Sequence, residues 1–422
     1  MQSQITTLKN GLRIITSNFS QLESVSVGIW VNTGSAYETP ETNGISHFLE
    51  HMSFKGTKKR TALQISEEIE DAGGQSNAYT AREFTAYYAK MLKGDLELAL
   101  DVLADTLCNS TFPEEEIKRE REVVIQEIKQ TIDSPDDIIF DYFQETAFPN
   151  QAIGRSILGP QSNVRSFGKE QLQNYLKTNY AAENMVVCAV GNLNHQDFVK
   201  MVESRLGDVQ PHTAFTPDKQ EYAGGYFSES RKIEQAHVIL GFKGLPYRTE
   251  DYYSGVIMSS LFGGGMTSRL FQEVREKRGL AYTVYSFTAS HTGNGMFAIY
   301  AGTDAKDVKK LVPVLTTEIG KLCNDLVTEK ELQRAKTQLK ASMLMALENP
   351  SATAEMLARQ MLIYNRIIPV EEMVERIENV SREDILRLAQ QIFSSNPTYT
   401  LLGAIDNHTD YEELQKLLKG SC

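Results

Sequence analysis

Cysteine is scarce in this sequence, and no two cysteines form a recognisable motif. The chain has four among 422 residues, at Cys108, Cys188, Cys323 and Cys422, with no CxxC pair. Small secreted domains that depend on disulfides are much richer in cysteine. We therefore expect reduced, mostly buried thiols and no disulfide framework.

Long apolar runs are missing as well. No stretch approaches the roughly 20 residues that a helix needs to span a bilayer, so we expect no membrane insertion. The opening sequence MQSQITTLKNGLRIITS has no basic segment followed by an apolar one, as a signal peptide would. These features predict a cytoplasmic protein, or a mature chain whose targeting segment has been removed.

Positive charge is in deficit. The 43 lysines and arginines are outnumbered by 55 aspartates and glutamates, which gives a net charge of −12. Proteins that bind nucleic acid without sequence preference use an excess of positive charge. We therefore expect no nucleic-acid partner, and a weak preference for basic partners.

The sequence does contain an internal repeat. A strand, a short link and an amphipathic helix beginning near Asp95 recur in the same order around Asp307. Two strands that end in glycine, at Gly191 and Gly403, have the same separation along the chain as those two aspartates. Two landmarks with one offset predict a duplicated α+β domain.

The repeat fixes the expected domain boundaries. We expect one domain over residues 1–211 and its copy over residues 220–422, each an antiparallel-rich sheet packed with helices. The segment DVQPHTAFTPDKQEYAGG, residues 208–225, has the composition of a linker.

Polar side chains interrupt an apolar helical pattern in GISHFLEHMSFKGT, residues 44–57. His47, Glu50 and His51 fall on one helical face. Burying them without partners would cost several kcal/mol, whereas histidines at i and i+4 can bind one Zn²⁺. The corresponding stretch of the second half, YYSGVIMSSLF, has neither histidine nor acid. This difference favours a functional site in the first half only.

A second helix, after Pro113, offers a further ligand. At about 100° per residue, two acids share a stripe with three apolar residues; the stripe consists of Ile117, Glu120, Val124, Glu127 and Ile128. Solvated acids do not usually lie on the apolar side of a helix. A catalytic zinc requires three protein ligands and an open position, so the third is expected from this helix.

These motifs together resemble one family. HFLEH at residues 47–51, with Glu127 further along the chain, resembles the HxxEH site of the pitrilysin-type metallopeptidases. GGQSNAYTAREFTAYY, EREVVIQE and LFGGGMTSRLFQEVREKRGLAY are most similar to the processing-peptidase branch, which includes the β subunit of the mitochondrial processing peptidase. The resemblance covers essentially the whole chain. It implies two homologous repeats that face each other as a clamshell.

The resemblance also implies roles for individual residues. It implies one Zn²⁺ per chain, held by His47, His51 and Glu127. Glu50 would be the general base that accepts a proton from water and passes it to the leaving amine. Glu120 would support the catalytic site from behind.

Substrate contacts are implied in both halves. NAYT matches the edge strand of the family, so Asn77 and Ala78 are expected to bind an extended peptide by strand addition. Arg275 and Tyr282 have the spacing of the substrate-contacting pair of the family, and could bind peptide carbonyls or the oxyanion. The nearby arginines that remain alternatives are Arg269 and Arg278.

The sequence thus predicts a zinc endopeptidase that encloses peptides or unfolded, presequence-like segments between its two domains. The alternative is a catalytically silent structural subunit of the same fold. The glycine run 263–265 resembles, in a shorter version, the loop of the processing-peptidase α subunit, although an ordinary turn would look the same. A homodimer, or a heterodimer with a homologous subunit, is expected, located in the bacterial cytoplasm or the mitochondrial matrix.

Overall fold

A computed structural model describes residues 3–211 and 219–421 of the chain. Residues 212–218, within the predicted linker 208–225, lie outside the described residues. The strands are β1 Ser3–Thr7, β2 Arg13–Asn18, β3 Ser24–Val31, β4 Gln75–Thr80, β5 Thr85–Leu92, β6 Met185–Gly191, β7 Gly225–Ser230, β8 Gln235–Lys243, β9 Ala281–Ser290, β10 Gly295–Asp304 and β11 Thr398–Gly403.

Helices occupy most of the remaining sequence. The α-helices are α1 Ile45–Ser53, α2 Ala62–Asp71, α3 Leu96–Cys108, α4 Glu114–Asp133, α5 Pro135–Ala147, α6 Gln161–Ser166, α7 Lys169–Asn179, α8 His195–Leu206, α9 Tyr252–Gly263, α10 Val308–Asn324, α11 Glu329–Ala346, α12 Pro350–Tyr364, α13 Val370–Glu378, α14 Arg382–Phe393 and α15 Tyr411–Ser421. A π-helical turn spans Phe271–Glu276.

The two sheets have the same topology, which confirms the predicted α+β duplication. The first sheet has the order β1-β2-β6-β3-β5-β4, and the second has β7-β11-β8-β10-β9. In both, the first common strand pairs in parallel with the last, β2 with β6 and β7 with β11, and the other pairs between common strands are antiparallel. Strand β1 is an addition to the first repeat. It forms a hairpin with β2, and Gly11, in the Asn10-Gly11 dipeptide between the two strands, has φ +88°.

The sheets belong to two compact units whose sequence limits differ from the predicted halves, 1–211 and 220–422. Each half contributes one helical segment to the other unit. Residues 130–154, which contain α5, belong to the unit of the second sheet, and residues 344–368, which contain α12, belong to the unit of the first. Amphipathicity predicts that such a helix covers a sheet, but it does not say which sheet.

The sheet of the first unit is therefore apolar on both faces. On one face of β3, Val25, Val27, Ile29 and Val31 pack against the helices of the first half, as their alternation predicts. On the opposite face, Trp30 packs in a separate core that α12 completes. A strand buried on both sides loses the alternation of a half-exposed one.

Two smaller expectations can be compared with the structure. Cys108 and Cys188 are free thiols, but Cys323 is disulfide-bonded, so the expectation of reduced cysteines is wrong for Cys323. Cys422 lies outside the described residues. Within residues 3–211 and 219–421, no helix combines the length and the apolar character that crossing a membrane requires.

Candidate metal centre

The first metal-centre helix, α1, is held at its N-terminus by a buried acid. Its cap residue Gly44 has φ +97°, and a Cβ there would lie 2.6 Å from a backbone oxygen of Leu158. Glu38 takes over the capping role, because its carboxylate accepts from the backbone N–H groups of Gly44 and Ser46, both at 2.8 Å. Burial raises the pKa of Glu38, and these hydrogen bonds oppose the rise. The first turn of α1 is thereby fixed.

The second metal-centre helix, α4, turns its polar stripe toward α1. Ile117, Val124 and Ile128 are buried in the core of the unit. The two acids of the stripe differ in exposure, since the Glu120 side chain is 8% exposed and that of Glu127 is 42% exposed. The stripe predicted from periodicity is therefore present, and Glu127 is its partly exposed member.

Three side chains converge at this point. One donor atom from each of His47, His51 and Glu127 lies within 4.8 Å of the others. The Nε2 atoms of both histidines are 3.6 Å from the same oxygen, Oε2 of Glu127. Two donors on one tetrahedral zinc, each at ~2.1 Å from the metal, would be ~3.4 Å apart. The donor types and spacing fit a zinc ion with small adjustments.

Glu120 defines the protonation of His51. Its Oε2 lies 3.1 Å from Nδ1 of His51, and its Oε1 lies 2.7 Å from Nζ of Lys55. Although burial acts in the other direction, the hydrogen bonds from His51 and Lys55 hold the pKa of Glu120 below its usual value. An ionised carboxylate only accepts hydrogen bonds, so Nδ1 of His51 carries a proton, and Nε2 is the nitrogen that the neutral ring can offer to a metal. This is the arrangement that a histidine ligand requires. Although burial acts in the other direction, the neighbouring acids Glu120, Glu127 and Glu50 raise the pKa of His51.

Burial is the main cause of the pKa shifts of His47 and Glu50. Burial, assisted by the neighbouring His51, lowers the pKa of His47 to about 3, so its ring is neutral. Burial raises the pKa of Glu50, and the hydrogen bond from Thr80 opposes the rise. Thr80 Oγ1 donates to Glu50 Oε2 at 2.6 Å. Glu50 is thus a basic carboxylate in a fixed position beside the three candidate ligands.

The predicted peptide-binding strand lies next to this centre. Among the strands of the described residues, β4 is the last of its sheet and pairs with β5 alone. Asn77 is exposed, Ala78 is buried, and the backbone N–H of Ala78 donates to Asn77 Oδ1 at 2.8 Å. The strand therefore has an edge to which an extended chain can be added.

Arg275 and Tyr282 lie together in the second unit. The Arg275 guanidinium carbon is 5.0 Å from the centre of the Tyr282 ring and 4.8 Å from that of Phe271. Both residues line a cleft of about 490 Å³, and the Tyr282 ring is 75% exposed. The predicted pair is thus a neighbouring pair in the structure.

The alternative arginines are already engaged with acids. Arg269 makes two hydrogen bonds to Glu331, at 2.7 and 3.1 Å, and Arg278 contacts Glu273 at 2.5 Å. Among the described residues, Arg275 has no carboxylate within ion-pair distance. Of these three arginines, Arg275 is therefore the one that is not paired with an acid in the described part of the chain.

Sequence reasoning missed the residues that hold the site from outside. Glu38 lies six residues before Gly44, the cap residue of α1, so the usual capping pattern does not identify it. Thr80 is the last residue of β4, and nothing in its spacing along the sequence links it to Glu50. Lys55 lies four residues after His51 on the same side, a spacing that could have indicated its contact with Glu120.

Comparison with family models assigns both halves of the chain. Residues 13–161 match the model described as insulinase, peptidase family M16, and residues 166–339 match the one described as peptidase M16 inactive domain. The half with the candidate metal ligands thus matches the first description. The half without them matches the second.

Individual relatives extend over nearly the whole chain. The sequence is 41% identical to an uncharacterized zinc protease of Rickettsia felis, over 95% of this chain and 98% of the relative. It is 38% identical to the uncharacterized zinc protease YmxG of Bacillus subtilis, over 95% and 98%. It is 36% identical to the β subunit of the mouse mitochondrial-processing peptidase, over 98% and 87%.

The fold is also similar to that of a solved structure. The crystal structure of a protease from Helicobacter pylori matches with a TM-score of 0.89, covering 95% of this chain and 99% of the other, at 24% identity. The family models and the three sequence relatives agree with the HxxEH resemblance. The chain therefore belongs to peptidase family M16, the pitrilysin-type metallopeptidases, and is related to their processing-peptidase branch.

Proposed function

We propose that this chain is a zinc-dependent endopeptidase that hydrolyses peptides and unfolded, presequence-like segments. The observation that carries the proposal is the convergence of His47, His51 and Glu127 within 4.8 Å, with Glu50 held beside them by Thr80. The names of the relatives, zinc protease and mitochondrial-processing peptidase, support a peptidase of this kind.

The proposed roles follow from the surroundings of each residue. When bound by His47, His51 and Glu127, one zinc ion would supply a Lewis acid that polarises a peptide carbonyl and makes a water more acidic. Glu50 accepts a proton from the attacking water and donates it to the amine that leaves. Glu120 keeps His51 in the tautomer that presents Nε2.

Two groups of residues would hold the substrate. The edge strand β4, with Asn77 and Ala78, would add the peptide as a further strand through backbone hydrogen bonds. Arg275 and Tyr282 would bind peptide carbonyls from the second repeat. We propose that the peptide is enclosed between the two repeats, as the resemblance implies, which would exclude water from the reacting bond.

The alternative function, a silent structural subunit, does not require the same residues as an enzyme. A silent subunit has no need to retain Glu50 beside three intact metal ligands, or Glu120 behind them. Their joint presence supports the enzyme. A cleavage assay on unstructured peptides, combined with metal analysis, separates the two possibilities.

We further propose that the chain acts as a dimer, either of two copies or with a homologous subunit. Relatives whose names include subunit β support the second form, and the glycine run 263–265 in the same chain supports the first. The mass of the purified protein in solution decides between them. The cytoplasm, by comparison with the bacterial relatives, or the mitochondrial matrix, by comparison with the processing peptidases, is the proposed location.

Replacing a proposed ligand tests the metal assignment. His51→Ala removes one donor from the group of three, so the variant should lose most of its zinc, measured by elemental analysis after dialysis, while its circular dichroism is retained. The control is His408→Ala, since His408 contacts Tyr226 in the other unit. One full equivalent of zinc on His51→Ala would contradict the ligand assignment.

A further inference from the structure

Glu355, from the second half of the sequence, bonds to two strands of the sheet beside the candidate metal centre. It lies on α12, within the segment 344–368 that joins the first unit. We infer that Glu355 is a positioning residue, which fixes the edge strand β4 from the face opposite the metal centre. This inference rests on the proposed function, because β4 is the proposed peptide-binding strand.

The carboxylate of Glu355 bridges a central strand and the edge strand. Its Oε2 accepts from the indole Nε1 of Trp30 at 2.8 Å, and its Oε1 accepts from the hydroxyl of Tyr79 at 2.5 Å. Trp30 lies on β3 and Tyr79 on β4, with β5 between these two strands. Trp30 is only 2% exposed, so one anchor of the bridge is in the core.

The opposite face of β4 contacts the metal centre. Side chains alternate along a strand, and Ala78 packs in the core on the side of α1. Thr80, on the same face as Ala78, donates to Glu50. Tyr79, between them, points to the other face and to Glu355. One strand thus links Glu355 to the proposed general base through two adjacent residues.

A second residue of α12 secures the turn that follows β4. The guanidinium carbon of Arg359 lies 4.8 Å from the centre of the Phe84 ring. Phe84 in turn packs edge-on against Tyr79, with 6.0 Å between ring centres. The β4–β5 hairpin is therefore held by α12 at two points.

The second repeat provides an internal comparison. In the first sheet, Tyr79 is opposite Ala86, which is opposite Trp30. The offset of the repeat places Ala298 where Ala86 stands, and the corresponding row of the second sheet is Phe287, Ala298 and Gly241. Both the tyrosine and the tryptophan that bond to Glu355 are thus replaced by residues without a side-chain hydrogen-bond donor.

The helix of the second unit that corresponds to α12 is α5, and it has a ring where α12 has a carboxylate. Aligning α5 and α12 at their first residues, Pro135 and Pro350, places Phe140 opposite Glu355. The rings of Phe140 and Phe287 are 5.8 Å apart. The repeat without metal ligands therefore makes this contact with two rings, whereas the repeat with them uses a carboxylate and two donors. The polar bridge accompanies the candidate site and is not needed by the fold as such.

An edge strand that binds substrate has a particular need for such support. It has only one neighbouring strand, and a displacement of about 1 Å at a reacting group can lower a rate by about two orders of magnitude. Movement of β4 would displace both Thr80, which holds Glu50, and the backbone of Ala78. Glu355 opposes that movement without touching substrate.

The test compares Glu355→Leu and Glu355→Gln with the full-length wild type. Glu355→Leu removes both acceptors, whereas Gln keeps an acceptor oxygen and an amide that can bond to the Tyr79 hydroxyl. The matched control is Phe140→Leu, which removes a ring at the corresponding position of the other unit. Four properties are measured: zinc content, kcat/KM on an unstructured peptide, fluorescence of Trp30, and amide hydrogen exchange of residues 75–92. Trp30 is the only tryptophan of the chain, so the emission reports on the surroundings of this one residue.

We expect Glu355→Leu to keep its zinc and to change the Trp30 emission. Its amides in residues 75–92 should exchange at least tenfold faster than in wild type, and its kcat/KM should fall at least tenfold. Glu355→Gln should stay within about threefold of wild type, and Phe140→Leu should leave kcat/KM within twofold. Unchanged exchange or unchanged kcat/KM in Glu355→Leu would overturn the inference, and so would an equal loss in Phe140→Leu. The exchange arm needs no turnover, so a wild type that cleaves no peptide would contradict only the proposed function.

Discussion

At the scale of single residues, the two acids of α4 illustrate how position on one helix can separate two proposed roles. Glu120 and Glu127 are seven residues apart and share a face, but Glu120 is enclosed by His51 and Lys55, whereas Glu127 is partly exposed. An enclosed carboxylate that already accepts two hydrogen bonds can orient a ligand, and an exposed one can bind a metal. The difference comes from the packing around each residue and not from its type.

The proposed substrate contact of Arg275 leads to a prediction at this scale. If Arg275 donates to the developing oxyanion, Arg275→Ala should lower kcat/KM by an amount equivalent to about 2 to 4 kcal/mol of transition-state stabilisation. The zinc content should not change, because Arg275 lies in the unit without the metal ligands. Steady-state kinetics at equal zinc occupancy measures the effect.

The control is Arg278→Ala, since Arg278 is paired with Glu273. It should alter kcat/KM by less than about threefold, as an exposed salt bridge contributes little. Equal losses of kcat/KM in the two variants would show that any positive charge in this region supports the reaction to the same extent. Arg275 could then no longer be assigned as a specific oxyanion donor.

At the scale of elements, a buried histidine joins the first hairpin to α8. Both ring nitrogens of His195 are bonded to threonine hydroxyls, Nε2 to Thr6 and Nδ1 to Thr16, each at 2.8 Å. Thr6 lies on β1 and Thr16 on β2, so one ring ties two strands to the start of a helix. Burial lowers the pKa of His195 from its ordinary value of 6.5.

This shift determines how stability changes with pH. Because the folded pKa is lower than the unfolded one, the unfolded chain binds a proton more readily as pH falls below 6.5. The stability that neutral His195 contributes is therefore complete above that pH and is lost below it. In melting experiments, His195→Gln should lower Tm more at pH 7.5 than at pH 5.5. A Tm difference that is the same at both pH values, or larger at pH 5.5, would contradict this account.

The elements also show where sequence reasoning succeeds and where it stops. Sequence patterns indicate local structure correctly at the Asn10-Gly11 hairpin, on the buried face of β3 and along the polar stripe of α4, because each depends on periodicity or on turn chemistry. Each half of the sequence gives one helix to the other unit, α5 from the first half and α12 from the second. This exchange of α5 and α12 could not be predicted, since an apolar stripe does not identify the sheet that it covers. Glu38 and Glu355 escaped notice for the same reason: their partners are distant in sequence or follow no fixed spacing.

At the scale of the whole molecule, the exchange means that the first half of the chain is not a complete domain. A fragment of residues 1–211 would lack α12, which covers one face of its sheet. The side chains exposed by this loss include Ile15, Trp30, Val186 and Val190. At about 1.5 to 3 kcal/mol for each large apolar side chain, the loss is comparable to the ~5 to 15 kcal/mol that stabilises a typical domain.

We therefore predict that residues 1–211 alone will not fold stably. Thermal melting followed by circular dichroism should show no cooperative transition for this fragment. A version in which residues 344–368 are attached through a flexible linker, and residues 130–154 are replaced by a short one, should recover a transition. Cooperative melting of the 1–211 fragment near the Tm of the full chain would show that α12 is dispensable.

The measurement that tests the central claim most directly compares wild type with Glu50→Gln at equal zinc occupancy. Glu50 is held by Thr80 beside the three candidate ligands, and glutamine has almost the same shape but cannot accept a proton from water. The account predicts that Glu50→Gln binds one equivalent of zinc and binds peptide normally, while its kcat falls by at least a hundredfold. Cleavage by Glu50→Gln at a rate near that of wild type would contradict the account.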